Sequence, residues 1–291
     1  MGGHHSPTTL PPMPSPSLTT SPLIRSRLIR SPLLDSLGVP HGFTTRIGGV
    51  SGGAYDSLNF GSPWDIPSER RDSALNIAKN LELAMGEAGL GGRELLQVHQ
   101  VHGAAVVVSR RGEAAPCQDP ADKADAIVTD DPGRCVGVRV ADCAPVLLAS
   151  EDGAAVASVH AGWRGVVDGV LARAVEALRA VAPGRAVFAA IGPCICGARF
   201  EVGPEVAEAF AAEFGAENAV RAGIVLPPGD GRGKHHVDIG AALEVQAKRL
   251  GVAAVERAPL CTFERADLFF SHRRDKGMTG RMIALIGPRG A

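Results

Sequence analysis

AIVTDDPGRCVGVRVADCAPVLLASEDGAAVASVH, residues 126–160, is the stretch that decides the fold. Short apolar or β-branched runs at 126–129, 136–140, 146–149 and 155–159 are separated by segments rich in Asp, Gly and Pro. Runs this short, bounded by turn residues, suit strands buried on both faces better than helices. The turn Gly162-Trp163-Arg164-Gly165 follows at once and leads into residues 167–181. There Val170, Leu171, Ala174, Leu178 and Val181 recur at helical spacing, so a helix start faces that turn.

Outward from this block, residues 105–108, 187–191 and 282–286 read as further strands. Helices are predicted over 68–85 with Ser68 as cap, over 204–214 with Pro204 in its permitted first turn, and over 239–250, ending at Gly251. Adjacent strands mixed with strand–helix alternation predict an α/β (α+β) single domain, a layered sandwich of mixed β-sheets with helices on its outer faces, rather than a barrel. Order begins near Pro40, and the domain is assigned to residues 37–291. Residues 1–36 read as a disordered Pro/Ser-rich tail, because Pro11, Pro12, Pro14 and Pro16 oppose the amphipathic helix of a transit peptide.

Apolar residues make up 45% of the 291-residue chain and charged residues 21%, which is ordinary globular usage. A formal net charge of -1 leaves no basic surplus for neutralising phosphates, so nucleic acid is not an expected partner. No run approaches the length of a membrane helix. A chain able to build its own core needs no disulfide framework, so its six cysteines are expected as reduced thiols in the cytoplasm.

Three residues carry the candidate chemistry. His102 sits beside Gly103, Cys143 lies between two predicted strands, and His160 ends a third. Side chains at strand ends converge on a shared cleft, and two imidazoles with a thiolate are a borderline-soft donor set suited to zinc, with copper as a substitute. A fourth, open position is what a catalytic zinc requires. The spacings match no short metal signature, so each residue also has a bland reading, Cys143 as a small buried hydrophobe and either histidine as a hydrogen-bonded strand end. Cys194 and Cys196, with no histidine nearby in sequence, read as part of a turn rather than a second metal site. His235-His236 reads as exposed in a loop.

The surrounding strings narrow these choices. His41-Gly-Phe-Thr-Thr-Arg46, Ser57-Leu-Asn59-Phe-Gly61, Gln100-Val-His102-Gly103, Ala141-Asp-Cys143-Ala-Pro145, Val159-His160-Ala-Gly-Trp-Arg164-Gly165, Phe269-Phe-Ser-His-Arg-Arg-Asp275 and Thr279-Gly-Arg281 span about residues 40–287. Together they resemble the YfiH-like purine nucleoside phosphorylases, formerly described as a polyphenol oxidase or laccase domain. The resemblance implies a CNF1/YfiH-like fold, zinc held by His102, Cys143 and His160, and purine nucleosides and phosphate as substrates. Phosphorolysis of adenosine, inosine, guanosine and methylthioadenosine, with deamination of adenosine, is the implied activity. This chain has His272 where such proteins often have Tyr.

Deamination needs activated water and a proton shuttle, for which Asp142 is the candidate, with a turn-holding role as its alternative. Phosphorolysis needs anion donors against the ribose, for which Arg46, Arg164 and Arg273 are candidates, each alternatively a structural ion pair. Asn59 is a candidate ribose contact or a fixer of its own turn. Two other enzymes fit the residues less well. A copper polyphenol oxidase needs clustered His-x-His pairs that this chain lacks, and a metal-free cysteine hydrolase would use Cys143 as nucleophile with His160 or His102 as base. A purely binding role would leave the three donors without work.

Overall fold

The computed structural model describes residues 26–61, 67–116, 123–226, 228 and 234–290. Its strands in chain order are β1 (Leu28–Ile29), β2 (His41–Thr44), β3 (Glu94–Leu96), β4 (Val106–Ser109), β5 (Ala126–Thr129), β6 (Arg134–Val140), β7 (Ala144–Ser150) and β8 (Val156–Ala161). They continue as β9 (Val187–Ile191), β10 (Glu201–Val202), β11 (Val225–Leu226), β12 (His235–Val237), β13 (Ala254–Arg257) and β14 (Met282–Ile286). The helices are α1 (Pro32–Ser36), α2 (Ala74–Glu87), α3 (Trp163–Val167), α4 (Val170–Val181), α5 (Pro204–Phe214), α6 (Ala216–Arg221) and α7 (Ile239–Arg249).

Two mixed sheets stack face to face, a five-stranded one ordered β1-β2-β14-β6-β3 and a six-stranded one ordered β13-β9-β7-β8-β5-β4. Period-two alternation along each strand builds the layers. On β7, Leu147 and Ala149 point into the core between the sheets, where they meet Val136 and Val138 of β6 and Ala284 and Ile286 of β14. Val146 and Leu148 point the other way, into a core shared with Val170, Leu171, Ala174 and Leu178 of α4 and Leu243 of α7. The far face of the five-stranded sheet, through Cys135, Ile283 and Leu285, is covered by Ala84 of α2. Because each fully buried Leu or Ile contributes about 1.5–3 kcal/mol, a one-residue slip of β7 would be costly, and the register is pinned. The expected layered sandwich with outer helices is the observed architecture.

Three boundaries differ from expectation by more than two residues. Order reaches back before residue 37, since β1 pairs with β2 and α1, capped by Ser31, buries Leu34 completely. Elements of two and five residues carry too little periodicity to be read. Residues 1–25 of the expected tail lie outside the described residues. The helix predicted from Ser68 begins at Ala74, where Ser73 accepts a hydrogen bond from Leu75 N–H, and Ser68–Arg70 is a separate 3-10 turn. The helix predicted over 167–181 is α4, which begins at Val170 after Gly169 with φ 80°, while the turn at 162–165 forms its own short helix α3. His235 and His236 are half-buried in β12 rather than in a loop. Among the described residues no helix is long and apolar enough to cross a membrane.

Candidate metal centre

Strand register brings the chemistry together. Ala126 pairs with Val159 across β5 and β8, and Ala144 pairs with Ala161 across β7 and β8. One residue beyond, Asp125 faces His160 and Cys143 faces Gly162. His160 N–H donates to the Asp125 carbonyl at 2.7 Å, which extends the ladder. His102 arrives from outside the strands, on a turn where its own φ is 60°. One ligand atom from each of His102, Cys143 and His160 lies within 4.8 Å of the others. The two imidazole rings meet edge-on, with centroids 4.8 Å apart. A Cβ on Gly162 would lie 2.8 Å from His102 Cδ2 and 3.3 Å from Cys143 Sγ, so only glycine leaves this space to the donors.

Asp125, which was not singled out in the sequence, organises the site. Its carboxylate is fully buried and accepts a 2.7 Å hydrogen bond from His160 Nδ1–H. A carboxylate only accepts, so Nδ1 carries the proton and Nε2 is left free to bind a cation. The same carboxylate accepts backbone N–H bonds from Val101 at 3.3 Å, His102 at 3.0 Å and Gly103 at 2.7 Å. Those bonds hold the left-handed turn that His102 would otherwise adopt at a cost of order 1 kcal/mol. Burial alone would raise the Asp125 carboxyl, but its bonds to His160 and the turn amides hold it below the usual carboxylate range.

The donors are electrostatically prepared. Burial opposes ionisation of Cys143, yet the facing His160 and hydrogen bonds from both histidines outweigh it and bring the thiol down to about 6. Burial likewise opposes charge on His160, but the Cys143 thiolate and Asp125 raise it to about 9. Without a cation both shifts favour the thiolate–imidazolium form of the pair. A cation in place of that proton fits the donor set, because two imidazole nitrogens and a thiolate are borderline-soft ligands. His160 is buried, Cys143 half-buried and His102 exposed, so the cluster opens to solvent on the His102 side. A surface cavity of about 470 Å³ lies elsewhere, lined by Arg30, Asp35, Glu87 and Arg93 among others, and none of the three donors lines it. Ligand convergence, not concavity, marks the chemistry here.

The other expected residues separate into groups. Asp142, with φ 88°, turns its carboxylate toward the 262–273 segment, accepting from Thr262 Oγ1 at 2.6 Å, Ser271 Oγ at 3.0 Å and Arg273 N–H at 2.7 Å. Those bonds fix the turn that carries Cys143. Arg46 donates to the carbonyls of Asp56 at 2.7 Å and Ala266 at 3.3 Å and stacks over Phe270 at 4.5 Å. Arg273 donates to the Glu201 carbonyl at 2.7 Å and lies over Phe200 at 5.2 Å. Arg164 is exposed in α3, two residues after Gly162, with its guanidinium 4.4 Å from the Trp163 ring centroid.

Asn59 is fully buried, its amide donating to Asp72 at 2.7 Å and its oxygen accepting from Gly61 N–H at 3.1 Å and Arg281 N–H at 2.8 Å. The Gly61 bond fixes its own turn, the alternative role, and the others tie two further segments to it.

Residues 40–289 match the family model described as multi-copper polyphenol oxidoreductase laccase. The chain belongs to that family. Among its laccase-domain relatives, the purine nucleoside phosphorylase of Deinococcus radiodurans is 36% identical over 263 residues, covering 89% of this chain and 92% of that protein. The purine nucleoside phosphorylase YfiH of Escherichia coli is 35% identical, covering 86% and 93%. The crystal structure of Neisseria meningitidis protein NMB0706 superposes on this laccase domain with a TM-score of 0.71 at 36% identity, covering 87% of this chain and 95% of that one. The resemblance drawn from the sequence strings therefore holds along the whole laccase domain.

Proposed function

We propose that this protein is a purine nucleoside phosphorylase that also deaminates adenosine, working with one zinc ion held by His102, Cys143 and His160. The convergence of those three donors within 4.8 Å carries the proposal, and the names of the 35–36% identical relatives support the nucleoside substrates. Zinc bound there would supply a Lewis acid at neutral pH. The chain's own residues do the rest. Asp125 keeps the His160 Nδ1 proton and the 101–103 turn in place. Asp142, engaged by three donors, acts as a positioning residue for Cys143.

Phosphorolysis requires an anion held against C1′ as positive charge grows on the ribose. Arg164 is our phosphate-binding residue, because it is exposed two residues after Gly162 and its guanidinium rests on an indole face. The guanidinium groups of Arg46 and Arg273 are turned to backbone carbonyls. Adenosine, inosine, guanosine and methylthioadenosine are the proposed substrates, and a reducing cytoplasm is the proposed setting, since Cys143 must stay a thiolate.

Incubation of the zinc-loaded protein with adenosine, with and without phosphate, tests this. Adenine and ribose 1-phosphate should appear only with phosphate, inosine in both cases, and Cys143→Ala should lose metal and both activities. Turnover of phenols that depends on copper and ignores nucleosides would sink the proposal. The thiolate–imidazolium pair favours a second reading, a metal-free cysteine hydrolase. A covalent adduct on Cys143 in active, metal-depleted protein would establish it.

A further inference from the structure

A second group of metal-binding side chains lies outside the His102–Cys143–His160 centre. The thiols of Cys196 and Cys261 and a carboxylate oxygen of Glu264 all lie within 4.8 Å of one another. Parallel pairing of β9 with β13, through Ile191 and Arg257, continues past the strand ends into a bridge between Cys194 and Cys261. That bridge, one residue out of the strand register, draws the two following segments together and sets Cys196 against Cys261. Cys194, which the sequence associates with Cys196, packs into the helix-side core instead.

With no cation present, burial and the facing Cys261 and Glu264 push the Cys196 thiol up to about 12, a repulsion that a bound cation would relieve. Cys196 N–H donates to Cys261 Sγ at 3.3 Å, a bond that strengthens as sulfur becomes negative. Cys261 is buried, Cys196 half-buried and Glu264 exposed, so two soft donors form the floor and one oxygen donor the rim, with access from solvent. Glu264 is held there by Arg199 at 2.9 Å. Two thiolates and a carboxylate exclude magnesium and calcium, which demand oxygen ligands, and suit zinc with a fourth position left to solvent.

We propose that Cys196, Cys261 and Glu264 form a second site for a zinc-class divalent cation, clamping the segment after β9 to the segment after β13. Binding forms two sulfur–metal bonds and one oxygen–metal bond, and releases the two thiol protons to solvent. The clamp has a target. Thr262, next to Cys261, and Ser271 and Arg273 further along that segment are the donors that hold Asp142 beside Cys143. A cation here would stiffen the wall of the first centre without touching substrate.

The test is metal content after zinc loading and desalting in a non-thiol reductant. Wild type should retain about two equivalents, Cys196→Ala and Cys143→Ala about one each, and the double variant none. Glu264→Gln, an exposed change that leaves the fold intact, should weaken only the second equivalent, by roughly tenfold. Cobalt substitution should give thiolate charge-transfer absorption of which Cys196→Ala removes the larger, two-thiolate part and Cys143→Ala only the smaller, one-thiolate part. One equivalent in wild type, kept in Cys196→Ala and lost in Cys143→Ala, would overturn the second site and leave the first standing. The converse pattern would overturn the first and leave the second. Isolation of Cys196 and Cys261 as a disulfide that reductant does not convert to a zinc-binding form would also overturn the proposal.

Discussion

The buried Asp125 carboxylate accepts the His160 Nδ1 proton at 2.7 Å while its oxygens also take backbone N–H groups from Val101, His102 and Gly103. One side chain thus sets both the tautomer of one candidate ligand and the backbone that carries another. Asp125→Asn should keep the packing but exchange an acceptor for a donor at one oxygen, lowering zinc affinity by about 10–100-fold. Asp125→Ala should further destabilise the fold by about 3–5 kcal/mol, because it leaves His160 and the turn amides buried without a partner. Chelator competition and urea unfolding separate the two effects; an Asn variant with unchanged affinity would remove Asp125 from the site.

Gly162→Ala is expected to cost metal affinity more than stability. The added methyl meets His102 Cδ2 at 2.8 Å and Cys143 Sγ at 3.3 Å, and the exposed His102 is the group free to give way. Gly52→Ala, whose Cβ would meet nothing within 4 Å and which lies outside the site, is the control. Metal content at a fixed chelator concentration, with circular dichroism melts, reads the difference.

In metal-free protein, alkylation of Cys143 should accelerate through an inflection near pH 6, not near the ordinary thiol value of 9.0. The sign follows from the direction of each shift. Cys143 is depressed, so its contribution to stability is present above 9.0 and lost as pH falls through about 6. His160 is raised, so its contribution is full below 6.5 and lost as pH rises through about 9. The pair is therefore intact between about 6 and about 9, and Asp125→Asn should move the alkylation inflection upward. A wild-type inflection that stays near 9 would contradict the coupling.

Asn59→Ala should act on stability and not on substrate. Losing a buried amide that serves Asp72, Gly61 and Arg281 costs about 1–3 kcal/mol for each group left unsatisfied. The KM for nucleoside of the folded fraction should stay within about twofold of wild type. A raised KM at unchanged stability would restore the ribose contact.

How much of this was legible follows from what each residue depends on. Cys143 and His160 stand at strand ends beside turn residues, a local pattern, so both were readable. His102 was readable as a motif residue, but its place depends on a left-handed turn that no periodicity signals. Asp125 is one acid before an apolar strand; its role exists only through the pairing that sets it across from His160. The one available hint was general, that a ligating histidine needs an acceptor for its second nitrogen. Arginine positions were visible while guanidinium directions were not, because those depend on carbonyls and rings distant in sequence. The Cys196–Cys261 proximity was hidden for the same reason, being made by two parallel strands far apart in the chain.

The division of ligands between sheet and turn bears on how the ion comes and goes. His160 lies in the buried strand β8 and Cys143 on the Asp142-braced turn just before β7, whereas His102 rides an exposed turn tied by three amides to one carboxylate. An ion held as proposed would load sequentially, with capture by Cys143 and His160 first and closure by His102 last. Exchange rates with a chelator should follow local opening of residues 101–103 rather than global unfolding. A denaturant series below the unfolding transition would leave those rates nearly flat, while weakening the turn would quicken them.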